Sequence, residues 1–209
     1  MSSNRNPKYA LVINSARCID CKACTIACKV ENNVPDGYWR NWIRHTGGAS
    51  GRRTHFQPGQ CMQCDNPSCV AACPVDATFK GKDGIVRIDA TKCIGCGNCV
   101  TACPYGARFR NPVSRVADKC DFCRHRLAVG EEPACVQTCP TRARAFGDLN
   151  DPESTVSKMV RKEKLVQVPA PHIDTRPNLY YFVGTPLLDW AREPSLPGHV
   201  HMSLNFWKE

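Results

Sequence analysis

The 209-residue chain has no run of eighteen apolar residues, the length a helix needs to cross a bilayer, so no part of it is expected to span a membrane. It also shows no apolar leader: Met1 to Lys8 is polar, and only the short run Ala10 to Ile13 follows. A secretory signal is therefore not expected, and a disulfide framework of the small-secreted kind is disfavoured. The six histidines include no pair spaced to share a metal on one helix face, and His199 and His201, two apart in a late tail, read as surface residues. No recognition-helix signature accompanies the basic residues, so nucleic acid is not an expected partner. No cysteine is left over from a repeated pattern.

Sixteen cysteines fall into four groups, namely Cys18, Cys21, Cys24, Cys28; Cys61, Cys64, Cys69, Cys73; Cys93, Cys96, Cys99, Cys103; and Cys120, Cys123, Cys135, Cys139. Each opens with C-x-x-C and closes with C-x-x-x-C, the ligand grammar of a cubane 4Fe-4S cluster. A loop reading C-x-x-C-x-x-C folds around one cluster and supplies three thiolates, so the fourth must come from elsewhere in the chain. The last two cysteines of every group stand four apart, one helical turn, as in Cys69 to Cys73. Pro74, Pro104 and Pro140 follow the final cysteine of three groups and should stop that turn, whereas Lys29 follows Cys28. Structural zinc would favour separated C-x-x-C pairs and leaves Cys24 and Cys99 unexplained. Scattered buried thiols would not repeat a spacing. The reading is four 4Fe-4S clusters, held by a protein that carries electrons one at a time.

The formal charge of +9 omits the thiolates and the iron. An oxidised site nets about −2, so four sites contribute about −8 and leave the loaded protein near neutral. Arg17, Lys92 and Lys119 precede the first cysteine of three groups, where a positive charge would favour the reduced cluster. His125, inside the fourth group's insertion, is a candidate neighbour of a cluster or a quinone. Four inorganic clusters would also replace much of an apolar core, so the metal-free chain should fold poorly.

Tyr9 to Ile13, Ile85 to Ile88 and Ser114 to Ala117 read as strands ahead of cysteine loops. Thr78 to Ile88, turning at Lys80 to Gly84, reads as a hairpin, with Ala107 to Ala117 as a second. Lys29 to Gln60 reads as a linker crossing the surface. The insertion Arg124 to Ala134 reads as an exposed loop. Ser154 to Lys164 reads as a helix entered at Asp151-Pro152. The segment from Gln167, with Tyr180, Tyr181, Phe182, Trp190, Phe206 and Trp207, reads as a proline-set tail able to clasp a partner or to wrap the chain's own body.

The run from Arg17 through Cys24 to Cys28-Lys29-Val30-Glu31-Asn32-Asn33, the stretch Cys61-Met62-Gln63-Cys64-Asp65-Asn66-Pro67-Ser68-Cys69 and the segment Asp118-Lys119-Cys120-Asp121-Phe122-Cys123 together resemble the four-cluster beta subunit of the molybdopterin oxidoreductases, the dimethyl sulfoxide, polysulfide, thiosulfate and tetrathionate reductase group. Thr175 to Tyr181 resembles a later segment of the same family. The resemblance implies an α+β fold of two interlocked bacterial-ferredoxin-like modules with an extended C-terminal tail. The outer module would comprise 1-60 and 104-165, the inner module 61-103, and a partner-docking tail 166-209. It implies ligand sets Cys18, Cys21, Cys24, Cys139; Cys28, Cys120, Cys123, Cys135; Cys61, Cys64, Cys69, Cys103; and Cys73, Cys93, Cys96, Cys99. It further implies no bond chemistry in this chain and two partners, a large molybdopterin catalytic subunit and an integral membrane quinone-binding subunit. The complex would sit at the bacterial inner membrane, with the periplasmic face favoured over the cytoplasmic one. A soluble polyferredoxin shuttle, or the equivalent subunit of a hydrogenase or formate dehydrogenase, are the alternative readings.

Overall fold

Strand β1, Tyr9–Ile13, is apolar along its length and has neighbours on both edges and both faces, so its four residues from Ala10 onward are fully buried. The computed structural model describes residues 6–46, 55–170 and 172–183. Within them α1 spans Ala23–Glu31, β2 Asn41–Thr46, β3 His55–Gln60, α2 Ser68–Ala71, β4 Thr78–Lys80, β5 Val86–Ile88 and α3 Asn98–Thr101. There follow β6 Phe109–Arg110, β7 Ala117–Asp118, α4 Arg124–Leu127, α5 Ala134–Gln137, β8 Arg144–Asp148, α6 Thr155–Lys162, β9 Leu165–Val166 and β10 Leu179–Phe182. The main sheet has the order β8-β1-β10-β9, with β1 antiparallel to β8 and parallel to β10. Helix α6 covers one face of this sheet through Val156, which packs on Ala10 and Val12.

The short helices pair across the chain: α1 lies against α5, and α2 against α3. Both expected hairpins form, as β4 with β5 and β6 with β7. The strand expected over Ser114 to Ala117 is shorter and later, Ala117–Asp118, because Asn111 Oδ1 accepts from the backbone N–H groups of Val113 and Ser114 and turns that stretch instead. Helix α6 forms as expected. Ser154 caps it by accepting from the Ser157 N–H at 3.1 Å, and Arg161 and Lys162 sit in its last turn, where the helix dipole favours cations.

Two expectations need correction. The segment 29-60 is no surface linker: it carries the β2–β3 hairpin, which buries Trp42 and Ile43 in the main core. The Trp42 indole sits so close to Gly59 that an added Cβ there would clash with its ring nitrogen. Asn41 Nδ2 donates to the Cys24 carbonyl at 3.0 Å, tying the hairpin to the first cysteine group. The chain after Val166 also does not leave as a tail through Val183. Strand β10 enters the middle of the main sheet, Leu179 and Tyr181 are fully buried, and the Tyr181 hydroxyl donates to the Pro58 carbonyl at 2.8 Å. Parallel pairing with β1 satisfies its backbone, and its side chains alternate between half-covered and buried. Trp190, His199, His201, Phe206 and Trp207 lie outside the described residues.

Candidate metal centres

Each cysteine group opens in a loop whose residue two places after the first cysteine has left-handed backbone: Asp20, Gln63, Gly95 and Phe122. That conformation curls the loop and turns successive N–H groups towards its concave side, a nest that suits an anion. The third cysteine then starts or lies within a short helix, and the fourth follows one turn later. Asp76, Gly106 and Arg142, each three residues after a final cysteine, are left-handed again and reverse the chain after the proline.

These loops bring the thiols together in rings drawn from distant parts of the sequence. Cys18, Cys21, Cys24 and Cys139 line one cavity with about 300 Å³ of atom-free space. A second, of about 310 Å³, is lined by Cys61, Cys64, Cys69 and Cys103. A third, of about 280 Å³, is lined by Cys73, Cys93, Cys96 and Cys99. Cys28, Cys120, Cys123 and Cys135 face one another closely enough that Cys28, Cys123 and Cys135 each raise the pKa of the Cys120 thiol. Cys120 also feels Cys61, so this ring adjoins the second cavity.

All sixteen thiols are free of disulfides. In three of the rings the thiols stand around open space with room for a body larger than a single ion. A zinc site would instead draw four sulfurs to one centre. The donor set fits a cubane cluster, whose corners are spread and whose iron takes thiolate.

Electrostatics say the same. Burial, then repulsion from Cys61 and Cys103, pushes the metal-free Cys64 thiol up to about 12. Burial and Cys61 push Cys103 to about 11. Burial takes Cys135 to about 11 although Arg144 opposes it. Such thiols stay protonated at neutral pH until a cation displaces the proton. Cys73 goes the other way: burial raises it, but backbone hydrogen bonds from Thr78, Val75 and Ala77 outweigh that. Further donors reach sulfur directly. The Ala117, Phe122 and Ala143 N–H groups donate to Cys93, Cys120 and Cys139 at 3.4, 3.4 and 3.3 Å. Asn32 Nδ2 stands 3.7 Å from both Cys28 and Cys123, and Gln60 Nε2 3.6 Å from Cys120.

Of the three basic residues singled out in the sequence, Arg17 and Lys92 are exposed and only Lys119 is buried, donating to the carbonyls of Val86 and Cys120. His125 is exposed and pairs with Glu31 at 2.7 Å. The insertion at 124-134 is mostly exposed, as expected, and Arg126 ties it to Glu31 at 3.0 Å and so to α1. Sequence reasoning missed Gln60, Gln63, Arg108 and Arg144, all buried beside the thiols. The later family-like segment braces the second cysteine loop, since Asn178 donates to the Gln63 carbonyl and to Asp65, and Asp65 N–H donates to Arg176.

Rings of four thiols in a small α+β frame, fed by backbone N–H donors, define an iron-sulfur protein of the ferredoxin class. Two family models described as 4Fe-4S dicluster domains match residues 52–149 and 17–77. The B subunit of tetrathionate reductase from Salmonella typhimurium is 42% identical over 207 residues, covering 97% of this chain and 80% of that protein. The B polypeptide of polysulfide reductase from Wolinella succinogenes is 41% identical over 180 residues, covering 83% and 93%. A thiosulfate reductase electron transfer subunit of Salmonella typhi is 48% identical over 151 residues, covering 70% and 79%. This protein belongs to the family of iron-sulfur B subunits of the tetrathionate, polysulfide, thiosulfate and dimethyl sulfoxide reductases. Its cofactors are 4Fe-4S clusters, sixteen cysteines suffice for four, and its role is electron transfer without catalysis. No described helix is long and apolar enough to cross a membrane.

Proposed function

We propose that the chain relays single electrons through four 4Fe-4S clusters between a large molybdopterin catalytic subunit and an integral membrane quinone-binding subunit. The ligand sets are the four rings: Cys18, Cys21, Cys24, Cys139; Cys28, Cys120, Cys123, Cys135; Cys61, Cys64, Cys69, Cys103; and Cys73, Cys93, Cys96, Cys99. The observation that carries this reading is the way sequence-distant cysteines complete each ring: Cys139 closes the first group's loop and Cys103 the second's. Pairing of α1 with α5 and of α2 with α3 supports an outer module from the first and fourth groups and an inner one from the second and third.

Exposure supports an order along the wire. Cys21 and Cys96 are exposed, each beside an exposed isoleucine, Ile19 at 60% and Ile94 at 64%. Cys28, Cys120, Cys123 and Cys135 are all buried. Electrons therefore enter and leave at the rings of Cys21 and Cys96, and the other two rings lie between them. The complex is peripheral to the membrane through its partners, on the periplasmic face. Isolation of the intact assembly without oxygen tests this: sixteen iron atoms per chain, one per cysteine, and co-migration with a large subunit and a membrane subunit are expected. Zinc in place of iron, or a partner-free 23.2 kDa species, would sink it, the latter favouring a diffusing shuttle.

A further inference from the structure

Two arginines are buried where the thiols are. Arg108 is 1% exposed and lines the cavity of Cys61, Cys64, Cys69 and Cys103; Arg144 is 4% exposed and lines that of Cys18, Cys21, Cys24 and Cys139. They occupy the same place in two repeats, five residues after a final cysteine, in Cys103-Pro104-Tyr105-Gly106-Ala107-Arg108 and Cys139-Pro140-Thr141-Arg142-Ala143-Arg144. In the second group that place holds Thr78, and Arg108 Nη1 donates to its hydroxyl at 3.2 Å.

Among the described residues no carboxylate pairs with either guanidinium. Arg144 Nη1 donates to Gln60 Oε1 at 2.8 Å, while its Nη2 has no protein partner, nor have Nε and Nη2 of Arg108. An unpaired buried cation costs several kcal/mol, so an opposite charge must face it in the loaded protein. The charges that face Arg108 are sulfurs of two rings: Cys69, Cys61 and Cys103 of its own, and Cys99 of the neighbouring one. Arg144 likewise faces Cys24 and Cys139 of its own ring and Cys135 of the next.

We infer that Arg108 and Arg144 are positioning residues that sit between the two clusters of each pair and set their reduction potentials. This rests on the cluster-wire reading given above. A cluster that accepts one electron goes from about −2 to about −3 with no bond made or broken. A fixed positive charge shared by two rings stabilises that added charge on either, so it raises the potentials of both neighbours. A guanidinium keeps its proton at any working pH, so the compensation does not titrate.

The test is redox titration, followed by electron paramagnetic resonance, of the full cluster-loaded chain and of Arg108→Gln, Arg144→Gln, Arg108→Lys and Arg144→Lys. Each Gln variant should make both clusters of its pair at least about tenfold harder to reduce at a fixed potential, a downward shift of about 59 mV for one electron. Arg108→Gln should act on one pair and Arg144→Gln on the other, and the Lys variants should stay near the parent. Gln variants that keep all their iron and titrate as the parent overturn the inference, as do Lys variants that fall as far as the Gln ones. Where a Gln variant assembles with less iron, retention by Lys supports the inference and equal loss in Lys overturns it. Failure of the wire reading would appear separately, as a parent chain without its clusters.

Discussion

Gly95 has φ +66°, and a Cβ there would stand 2.1 Å from the Arg115 carbonyl oxygen. Left-handed backbone alone costs a side chain about 1–2 kcal/mol, and the contact with a backbone oxygen adds to that. Gly95→Ala should therefore lower the thermal midpoint and release iron from the ring of Cys93 and Cys96, read as a drop of roughly a quarter in iron per chain. Asp20, Gln63 and Phe122 hold the same conformation in the other loops without a glycine, so glycine marks this turn in one repeat of four. Cys120→Ser tests the buried ring: its thiol is enclosed and pushed well up by burial and by Cys28, so a poorer ligand there should cost that cluster, checked by iron analysis and by the resonance spectrum of the remaining ones. Gln60 could not be picked from the sequence, because a lone glutamine carries no spacing signal; Arg108 and Arg144 do recur five residues after a final cysteine, but that spacing says nothing of burial. Their meaning comes from what lies opposite.

At the scale of elements, β10 shows how far a late segment can belong to an early one. Its residues pair with β1 across more than half the chain, and its Tyr181 hydroxyl reaches the β2–β3 hairpin. Leu179→Ala should destabilise by about 2–5 kcal/mol through the cavity it leaves. Tyr181→Phe should cost about 1 kcal/mol through the lost hydrogen bond to Pro58, and denaturant midpoints should rank the two in that order. The hairpin at 78-88 was legible because a glycine-bearing turn separated two strand-like runs. The β2–β3 hairpin was not: Pro58-Gly59 inside a strand reads as a turn, and only the packing of Trp42 on Gly59 makes a flat, close strand useful there.

For the whole molecule, the clusters and the fold depend on each other. The metal-free thiols of Cys64, Cys103 and Cys135 sit above their ordinary value of about 9, at about 12, 11 and 11. For an acid raised in the folded state the unfolded chain loses protons first, so metal-free structure should weaken as pH rises from about 9 towards 11. Loaded protein should fail in the opposite direction, losing iron as acid competes for thiolate. Far-ultraviolet circular dichroism with and without an iron chelator checks both limbs. The pockets inside the rings would then collapse or open, since cysteines form part of the main core beside Leu11, Trp42 and Tyr181.

The candidate ligands, the repeat and the electron-carrying class were all readable from cysteine spacing, because a cluster dictates where thiols stand along a loop. Which group closes which ring was not readable from spacing alone, and only the family resemblance implied it, since the thiol that completes a ring arrives from as far away as Cys139 does for Cys18. Charge compensation was not either: a basic residue next to a cysteine in the chain can point to water, as Arg17 and Lys92 do, whereas Arg108 and Arg144 become internal cations only when the sheet and paired helices close over them. Spacing is local and survives in one dimension, while burial and the meeting of opposite charges exist only after the chain has folded.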